Sequence, residues 1–340
     1  MAQIQSVAVI GAGIMGADHA RIISSEVPGA LLQCICDADE TKARAAADAT
    51  GARNVSTDPL ATIGDKNVDA VLIASPDQTH AELTLASLHA RKPVLCEKPL
   101  SQDVAECLRV LQAENALGRR LVQVGYMRRF DPPYVEMKGR SAHGAIGAIG
   151  APIMMHNFHR NVSVPSWFTG PMAITNSAPH EFDIARFVLG TEYSTVSAFQ
   201  PRSAPGHGVG PVFMVLKTDK GQLVNIEVNN NAAYGYDVRC ELVCERGSIS
   251  LRAPAHTETN LDLGSTTHYA RDWRPRFADA YRLQDHAWLR SIESGVPAGA
   301  SAWDGYVASL TAHRAVEALQ SGREVEIRYA EPLALYRTGG

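Results

Sequence analysis

The hexapeptide GAGIMG at residues 11–16 constrains this chain more than any other segment. It follows the apolar run VAVI directly and opens a helical pattern, so Gly11, Gly13 and Gly16 fall in a strand-to-helix turn. In such a turn the first glycine permits the tight bend, the second lets the backbone approach a ligand, and the third allows close helix packing. The free N–H groups at the helix N-terminus then bind phosphate. The pattern predicts a phosphate-binding unit.

Asp37 ends the second strand pattern, LLQCIC, at the distance expected for an acid on an adenosine ribose. Its carboxylate can accept hydrogen bonds from a 2′-hydroxyl and would repel a 2′-phosphate. The following residues Ala38, Asp39 and Glu40 offer no arginine to hold a phosphate. With the glycine pattern, Asp37 therefore predicts NAD as cofactor in preference to NADP. The alternative is that Asp37 only caps the next helix.

From Ser6 to about Val124, short β-rich runs alternate with helical patterns. This rhythm predicts βαβ units and a doubly wound parallel sheet with helices on both faces, a Rossmann domain. After Tyr126 the pattern changes, and alternating strands at 222–230 and 237–244 are joined to their neighbours by short glycine-containing turns. Short turns favour antiparallel pairing. The fold class is therefore α/β, with a C-terminal α+β domain that carries an antiparallel sheet.

We place the domains at 1–124 and 125–335. Helical patterns at about 276–294 and 303–320 are expected to cover one face of the second sheet. Two segments, 202–210 and 252–275, have the composition of long loops.

Composition excludes several classes of partner. Net charge is −4, and no run of lysine and arginine is present to match a nucleic-acid backbone. No apolar stretch approaches the ~20 residues of a membrane span, and the N-terminus leads almost at once into a strand. Six scattered cysteines lack metal-ligand spacing and are expected to be reduced and buried, so no metal is assigned. We therefore expect a cytoplasmic protein that binds neither nucleic acid nor membrane.

Lys98 follows the strand PVLC, with Glu97 before it and Pro99 after it. A residue at the carboxyl end of a parallel strand points into the crevice where ligands bind in such sheets. Its ammonium could hydrogen-bond a substrate oxygen and stabilise alkoxide character as hydride leaves. On composition alone, the alternative is an ordinary solvated lysine.

With these motifs in place, the chain resembles the Gfo/Idh/MocA family of glucose-fructose oxidoreductases and inositol dehydrogenases. The segments GYMRRFD, HRN and YGYD are similar in particular to inositol 2-dehydrogenases and their sugar-oxidising relatives. The motifs that carry the resemblance run through most of the chain in the expected order: GAGIMG, CEKPLS, QVGYMRRFDPPY at 123–134, HRN at 159–161, NSAPHEFDIARFVLG at 176–190 and YGYDVRCELVCERGS at 234–248.

The resemblance implies a Rossmann domain and a second domain with a large open antiparallel sheet, assembled as a homotetramer through the sheet faces. It implies NAD-dependent oxidation of a secondary hydroxyl of a cyclic polyol or sugar. Lys98 would bind the reacting hydroxyl, and His180 would act as general base, a task that suits its unperturbed pKa of ~6.5. Inositol dehydrogenases commonly carry aspartate where this chain has Asn176, so its pH optimum or substrate is expected to differ.

Two sets of contacts complete the expected site. The predicted cofactor-binding residues are Gly11, Gly13, Ile14, Met15, Gly16, Asp37, Ser75, Glu97 and Lys98. The predicted substrate-binding residues are Lys98, Arg128, His159, Asn161, Asn176, His180, Tyr234 and Tyr236. Several neutral donors and acceptors facing one cavity suit a ring that carries many hydroxyls.

Alternatives stay open at this point. Arg128 could be a surface charge beside Arg129, and His159 a histidine of the core. Besides an inositol 2-dehydrogenase, the same residues suit an aldopyranose 1-dehydrogenase or a biosynthetic keto-sugar or aminocyclitol reductase. A non-catalytic regulator would keep the dinucleotide site without needing Lys98 or His180. Arg128, Arg129 and Arg160 also leave a phosphorylated substrate open.

Overall fold

A computed structural model describes residues 5–141, 148–203, 208–252 and 257–337. The chain forms two compact units. The first comprises Met1–Phe130, Asp279–Ser309 and Ala330–Gly340, and the second comprises Asp131–Ala278 and Leu310–Tyr329. The second domain predicted from sequence, 125–335, is one continuous segment, whereas the contacts assign 125–130, 279–309 and 330–335 within it to the first unit.

A six-stranded parallel sheet forms the centre of the first unit, in the order β3-β2-β1-β4-β5-β6. The strands run β1 Gln5–Ile10, β2 Ala30–Cys36, β3 Asn54–Ser56, β4 Ala70–Ile73, β5 Val94–Cys96 and β6 Val122–Val124. Val9 and Leu72 are fully buried because helices cover both sheet faces. The order reverses between β1 and β4, the switch point where such sheets bind ligands. The predicted doubly wound fold is confirmed.

Five helices connect these strands: α1 Ile14–Glu26, α2 Glu40–Thr50, α3 Pro59–Gly64, α4 His80–His89 and α5 Val104–Leu117. The side chain of Asp39 caps α2 by accepting from Thr41 N. Asp37 is therefore not the cap, and the alternative interpretation of this residue was wrong. The pattern also missed β3 and α3, because a three-residue edge strand shows no periodicity.

In the second unit the described strands form a seven-stranded sheet, ordered β12-β11-β7-β10-β9-β8-β15. Its strands are β7 Pro152–Arg160, β8 Tyr193–Phe199, β9 Val212–Thr218, β10 Leu223–Asn229, β11 Asp237–Cys244, β12 Gly247–Ser250 and β15 Val325–Glu326. All neighbours pair antiparallel except β7 and β10, which are parallel. The mostly antiparallel sheet is thus confirmed, with one parallel pair that the turns could not reveal.

Alternation along these strands buries one face of the sheet and leaves the other partly exposed. Val224, Ile226 and Val228 on β10 are fully buried. The helices of this unit are α6 Pro132–Ser141, the short α7 Gly170–Met172, a π-helical segment Ala173–Ser177, and α8 Pro179–Leu189. Because α8 packs on β7, it brings helical side chains against the covered face.

Two long C-terminal helices, α9 Arg274–Ser294 and α10 Ala302–Ser321, lie close to the predicted positions. Each contributes residues to both units, a division that the sequence pattern did not predict. The predicted loop at 252–275 contains a two-stranded hairpin, formed by β13 Glu258–Leu261 and β14 Gly264–Thr267. The predicted loop at 202–210 falls partly outside the described residues. Over the described ranges, no helix has the length and apolar character to cross a membrane.

Candidate functional site

The glycine-rich turn has the geometry of a phosphate cradle. Gly11 has φ +98°, and a Cβ there would lie 2.4 Å from the carbonyl oxygen of Ala74. At Gly16 a Cβ would meet the Gly11 carbonyl at 1.8 Å, so α1 can approach only with glycine at this position. Apart from its immediate neighbours in the chain, no heavy atom of the described residues lies within 4 Å of a Cβ built at Gly13. Each glycine thus meets its predicted requirement, and the space over Gly13 fits a pyrophosphate at the N-terminus of α1.

Asp37 joins the end of β2 to this turn. Its carboxylate accepts from the backbone N–H of Ala12 at 2.6 Å and from that of Asp39 at 2.9 Å. The carboxylate is therefore held beside the glycine-rich turn, where further lone pairs can accept a ribose hydroxyl. Ile14 and Met15 occupy the first turn of α1, and Ile14 is 62% exposed. These contacts fit a dinucleotide with a free ribose 2′-hydroxyl.

The Glu97–Pro99 segment follows β5 at the carboxyl edge of the same sheet. Lys98 is half-buried, whereas Glu97 is buried and uses both carboxylate oxygens. One oxygen lies 3.0 Å from Nε2 of His19, and the other accepts from the Lys98 backbone N–H at 3.2 Å. Both carboxylate oxygens of Glu97 therefore contact other groups of the protein. Its predicted contact with the cofactor stays a prediction.

Arg128 lies in a single 3₁₀ turn, Met127–Phe130, of the first unit. It is only 1% exposed, so the interpretation as a surface charge was wrong. Its neighbour Arg129 pairs with Asp304 at 2.9 Å. Of the predicted substrate-binding residues, Lys98 and Arg128 belong to the first unit, and the others belong to the second.

In the second unit, Asn176 and His180 lie on one continuous helical stretch. Asn176 is in the π-helical segment, and His180 is in the first turn of α8, just after Pro179. Proline suits this first turn because no intrahelical partner exists for an N–H there. π-Helical turns are frequent at functional sites. His180 is 8% exposed, so little of its ring meets solvent.

His159 projects from the covered face of β7 and meets the same helix. Its Nδ1 lies 3.0 Å from a carboxylate oxygen of Glu181, which is fully buried. The side-chain amide of Asn161 donates to Nε2 of His159 at 3.4 Å. One ring nitrogen thus faces an acceptor and the other a donor, as a neutral imidazole requires. His159 lies in the core, as the alternative interpretation predicted. It forms a polar cluster with Glu181 and Asn161, which we call the His159 cluster.

Asn230 ties this cluster together. It is 1% exposed, and its side-chain oxygen accepts from Asn161 at 2.8 Å and from Ser177 at 3.2 Å. Sequence reasoning missed Asn230 and did not place Glu181 among the site residues. Glu181 was within reach of sequence reasoning, because it directly follows His180 in the segment NSAPHEFDIARFVLG. Asn230 offered no signal beyond its place in the run VNNN.

The two predicted tyrosines are used differently. Tyr236 is 3% exposed and makes an edge-to-face contact with His159, with ring centroids 6.0 Å apart. Tyr234 is 49% exposed, donates to Asp237 at 2.7 Å, and accepts from Arg160 at 3.1 Å. Burial raises the pKa of Tyr234 above its ordinary value. The structure therefore groups Tyr236, but not Tyr234, with the His159 cluster.

Metal ligands and nucleophilic thiols do not mark this site. Within the described ranges, no group of three or more histidine, cysteine, aspartate or glutamate side chains could hold a metal ion. All six cysteines are buried, and burial raises the pKa of Cys34 to about 11. The expectation that the cysteines are buried is confirmed.

A Rossmann unit with a complete glycine-rich turn, joined to a unit that groups histidines and amides, defines a dinucleotide-dependent oxidoreductase. Family comparison agrees over most of the chain. Residues 5–126 match the NAD-binding Rossmann fold of the Gfo/Idh/MocA oxidoreductase family, and residues 145–327 match its C-terminal α/β domain. The chain belongs to the Gfo/Idh/MocA family.

Named relatives cover nearly the whole chain. It is 46% identical to inositol 2-dehydrogenase 1 of Saccharopolyspora erythraea, over 98% of this chain and 99% of that protein. It is 42% identical to inositol 2-dehydrogenase of Streptomyces avermitilis, over 99% and 98%. The crystal structure of Lactobacillus casei myo-inositol dehydrogenase in complex with NAD(H) and myo-inositol superposes with TM-score 0.92 at 29% identity, covering 98% and 100%.

Proposed function

We propose that this protein is an NAD-dependent inositol dehydrogenase that oxidises a secondary hydroxyl of myo- or scyllo-inositol. The observation that carries the proposal is the similarity over nearly the whole chain to a named inositol 2-dehydrogenase, at 46% identity, in a chain that has Lys98 and His180. A regulator without catalysis would need neither side chain. When bound, NAD supplies the nicotinamide C4 that accepts the hydride.

Lys98 and His180 divide the work on the substrate hydroxyl in this proposal. The Lys98 ammonium donates a hydrogen bond to the reacting oxygen and stabilises the negative charge that develops on it. His180 accepts the hydroxyl proton through a ring nitrogen. Asn176 orients that ring by a hydrogen bond, but, unlike aspartate, it adds no negative charge beside the imidazolium.

A substrate ring without charged groups fits the polar side chains of the second unit. Asn161 and Tyr236 offer neutral polar groups, which suit hydroxyl groups, and His159 holds the Asn161 amide through its Nε2. Arg160 is already paired with Glu227, with its Nε at 2.7 Å from a carboxylate oxygen, and Arg129 is paired with Asp304. Because carboxylates inside the protein neutralise these two cations, they do not favour a phosphorylated substrate.

Assembly as a homotetramer through the sheet faces is also part of the proposal. Phe199 and Phe213 are partners in the β8–β9 register on the open face, and they are 55% and 39% exposed. Leu223 on β10 is 40% exposed on the same face. Apolar side chains that line one sheet face are typical of an interface between copies. We place the enzyme in the cytoplasm, where its buried thiols stay reduced.

The test follows NADH absorbance with the purified protein and a panel of ring substrates. The panel contains myo-inositol, scyllo-inositol, chiro-inositols, D-glucose, L-glucose, D-galactose and D-xylose, each offered with NAD and with NADP. We expect NAD reduction by an inositol, and a loss of ~10²- to 10⁴-fold in kcat for His180→Ala, the range for a general base. Lys98→Ala should lose activity comparably.

Lys66→Ala and His89→Ala are the matched controls, because both residues are exposed in the first unit. Both should keep wild-type rates. Preferential oxidation of an aldopyranose would move the assignment to a sugar dehydrogenase. NADH binding without turnover of any substrate would favour reduction of a keto-substrate or a regulatory role.

A further inference from the structure

Two buried histidines flank the segment that carries Lys98, and both belong to the first unit. His19 lies on α1, three residues after Gly16, and His80 is the first residue of α4. They are 0% and 1% exposed. Neither is among the predicted site residues, yet both contact the stretch Glu97–Pro99 directly.

His19 lies between two carboxylates. Its Nε2 is 3.0 Å from Glu97, and its Nδ1 is 2.8 Å from Asp285 on α9. With an acceptor at each nitrogen, the ring carries both protons and is an imidazolium. Burial lowers the pKa of His19, but the charges and hydrogen bonds of Asp285 and Glu97 outweigh burial and raise it to about 10. The ring therefore stays cationic at neutral pH.

His80 lies between two backbone carbonyls. Its Nδ1 is 2.7 Å from the carbonyl oxygen of Pro99, and its Nε2 is 2.9 Å from that of Ser75. Carbonyl oxygens only accept hydrogen bonds, so both nitrogens of His80 must donate. Burial lowers the pKa of His80, but the adjacent Cys96 sulfur and the two carbonyls raise it to about 10.

The contact of His19 with Glu97 and the contact of His80 with Pro99 both hold the backbone next to Lys98. The Glu97 oxygen that does not face His19 accepts from the Lys98 N–H at 3.2 Å. Glycine at position 125 leaves room for this carboxylate, because a Cβ there would lie 2.8 Å from it. His80 holds the carbonyl of the next residue, Pro99, and links it to the end of β4. The lysine is thus fixed from both sides while its own side chain stays half-buried.

We propose that His19 and His80 are positioning residues for Lys98, two buried imidazolium rings that hold the backbone before and after it through the Glu97 carboxylate and the Pro99 carbonyl. This rests on the proposed function, because it assigns the rings a part in placing the ammonium on the substrate oxygen. His80 also couples Lys98 to Ser75, and His19 couples it to the helix that starts at the glycine-rich turn.

The test compares His19→Gln and His80→Gln with His286→Gln, a half-buried histidine next to Asp285 on α9. We expect kcat to fall ~10- to 100-fold in the first two variants, the effect of misplacing a catalytic group by about 1 Å. The KM for the polyol and the Kd for NAD should change far less, and the control should match wild type. Unchanged kcat in folded His19→Gln and His80→Gln, with Lys98→Ala inactive, would overturn the proposal.

A readout without substrate separates this inference from the proposed function. Lysines are reductively methylated with ¹³C, and the Lys98 resonance is assigned by its loss in Lys98→Arg. The resonance should move or broaden in His19→Gln and His80→Gln but not in His286→Gln, whatever the enzyme oxidises. An unmoved resonance in both variants would refute positioning even if inositol is turned over.

Wild-type protein provides a measurement that does not depend on the variants folding. Among its twelve histidines, ¹⁵N spectra at pH 8.5 should show two rings with both nitrogens protonated, far above the ordinary pKa of ~6.5. Only neutral rings at that pH would contradict the geometry on which the proposal stands.

Discussion

Each unit buries a histidine against a carboxylate, but the second neighbour of the ring differs. His19 in the first unit has an acceptor at both nitrogens, Glu97 and Asp285. His159 in the second unit has Glu181 at one nitrogen and the donating amide of Asn161 at the other. The first arrangement needs a cation, while the second is satisfied by a neutral ring. The same residue type therefore serves as a fixed charge in one unit and as an orientable polar group in the other.

The largest expected effect on stability comes from removing one of the two carboxylates that contact His19 in the first unit. Asp285→Ala leaves the buried His19 cation with a single partner, so the free energy of unfolding should fall by ~3 to 5 kcal/mol. Urea denaturation measures it. Asp279→Ala, on the same helix with a side chain 72% exposed, should cost no more than ~0.5 kcal/mol. An equal loss of unfolding free energy in the two variants would show that the buried Asp285 contributes no more than an exposed aspartate.

A smaller effect is expected in the second unit. Glu181→Gln keeps the shape but replaces an ionised acceptor by a neutral amide, which should cost ~1 to 3 kcal/mol of stability. Because a neutral amide holds His159 less tightly than a carboxylate, the KM for the polyol should rise while the Kd for NAD stays at the wild-type value. The control is Glu241→Gln, half-buried on β11. A change in NAD binding instead of KM would contradict the assignment of this cluster to the substrate.

The pH dependence of stability tests the His19 charge. Its folded pKa is about 10, above the unfolded value, so its contribution is fully present below ~6.5 and is lost as the pH rises through 10. The stability advantage of wild type over His19→Gln should therefore shrink between these limits, by at most ~1.4 kcal/mol per pH unit. Denaturation at several pH values checks it. A constant advantage over this range would indicate a neutral ring.

The smallest expected effect comes from placing a carboxylate four residues before His180 in the second unit. Asn176→Asp should raise the apparent pKa of His180 by ~1 unit, because a nearby carboxylate favours the imidazolium. The acidic limb of kcat/KM for oxidation should then move to higher pH by the same amount. Asn176→Ala controls for loss of the amide alone. An unchanged profile in Asn176→Asp would show that residue 176 does not act on His180.

Local patterns predicted the elements with strong periodicity. The glycine-rich turn, the parallel sheet and the strands β10 and β11 lie where sequence placed them, since each depends on neighbours within a few residues. The edge strand β3, the hairpin β13–β14 and the parallel pairing of β7 with β10 were missed. Short strands carry little periodicity, and a pairing between residues about 70 positions apart leaves no local pattern.

Sequence by itself determined which chemistry is available: a phosphate cradle at Gly11–Gly16, an acid at Asp37, a lysine at a strand end and a histidine on a helix. Tertiary structure alone decided which partners those side chains meet. Asp285 reaches His19 across 266 positions, and Asn230 reaches Asn161 across 69. Hydrogen bonds and burial between distant segments fix the protonation of a buried ring, so its role as charge or as orientable group follows only from the fold.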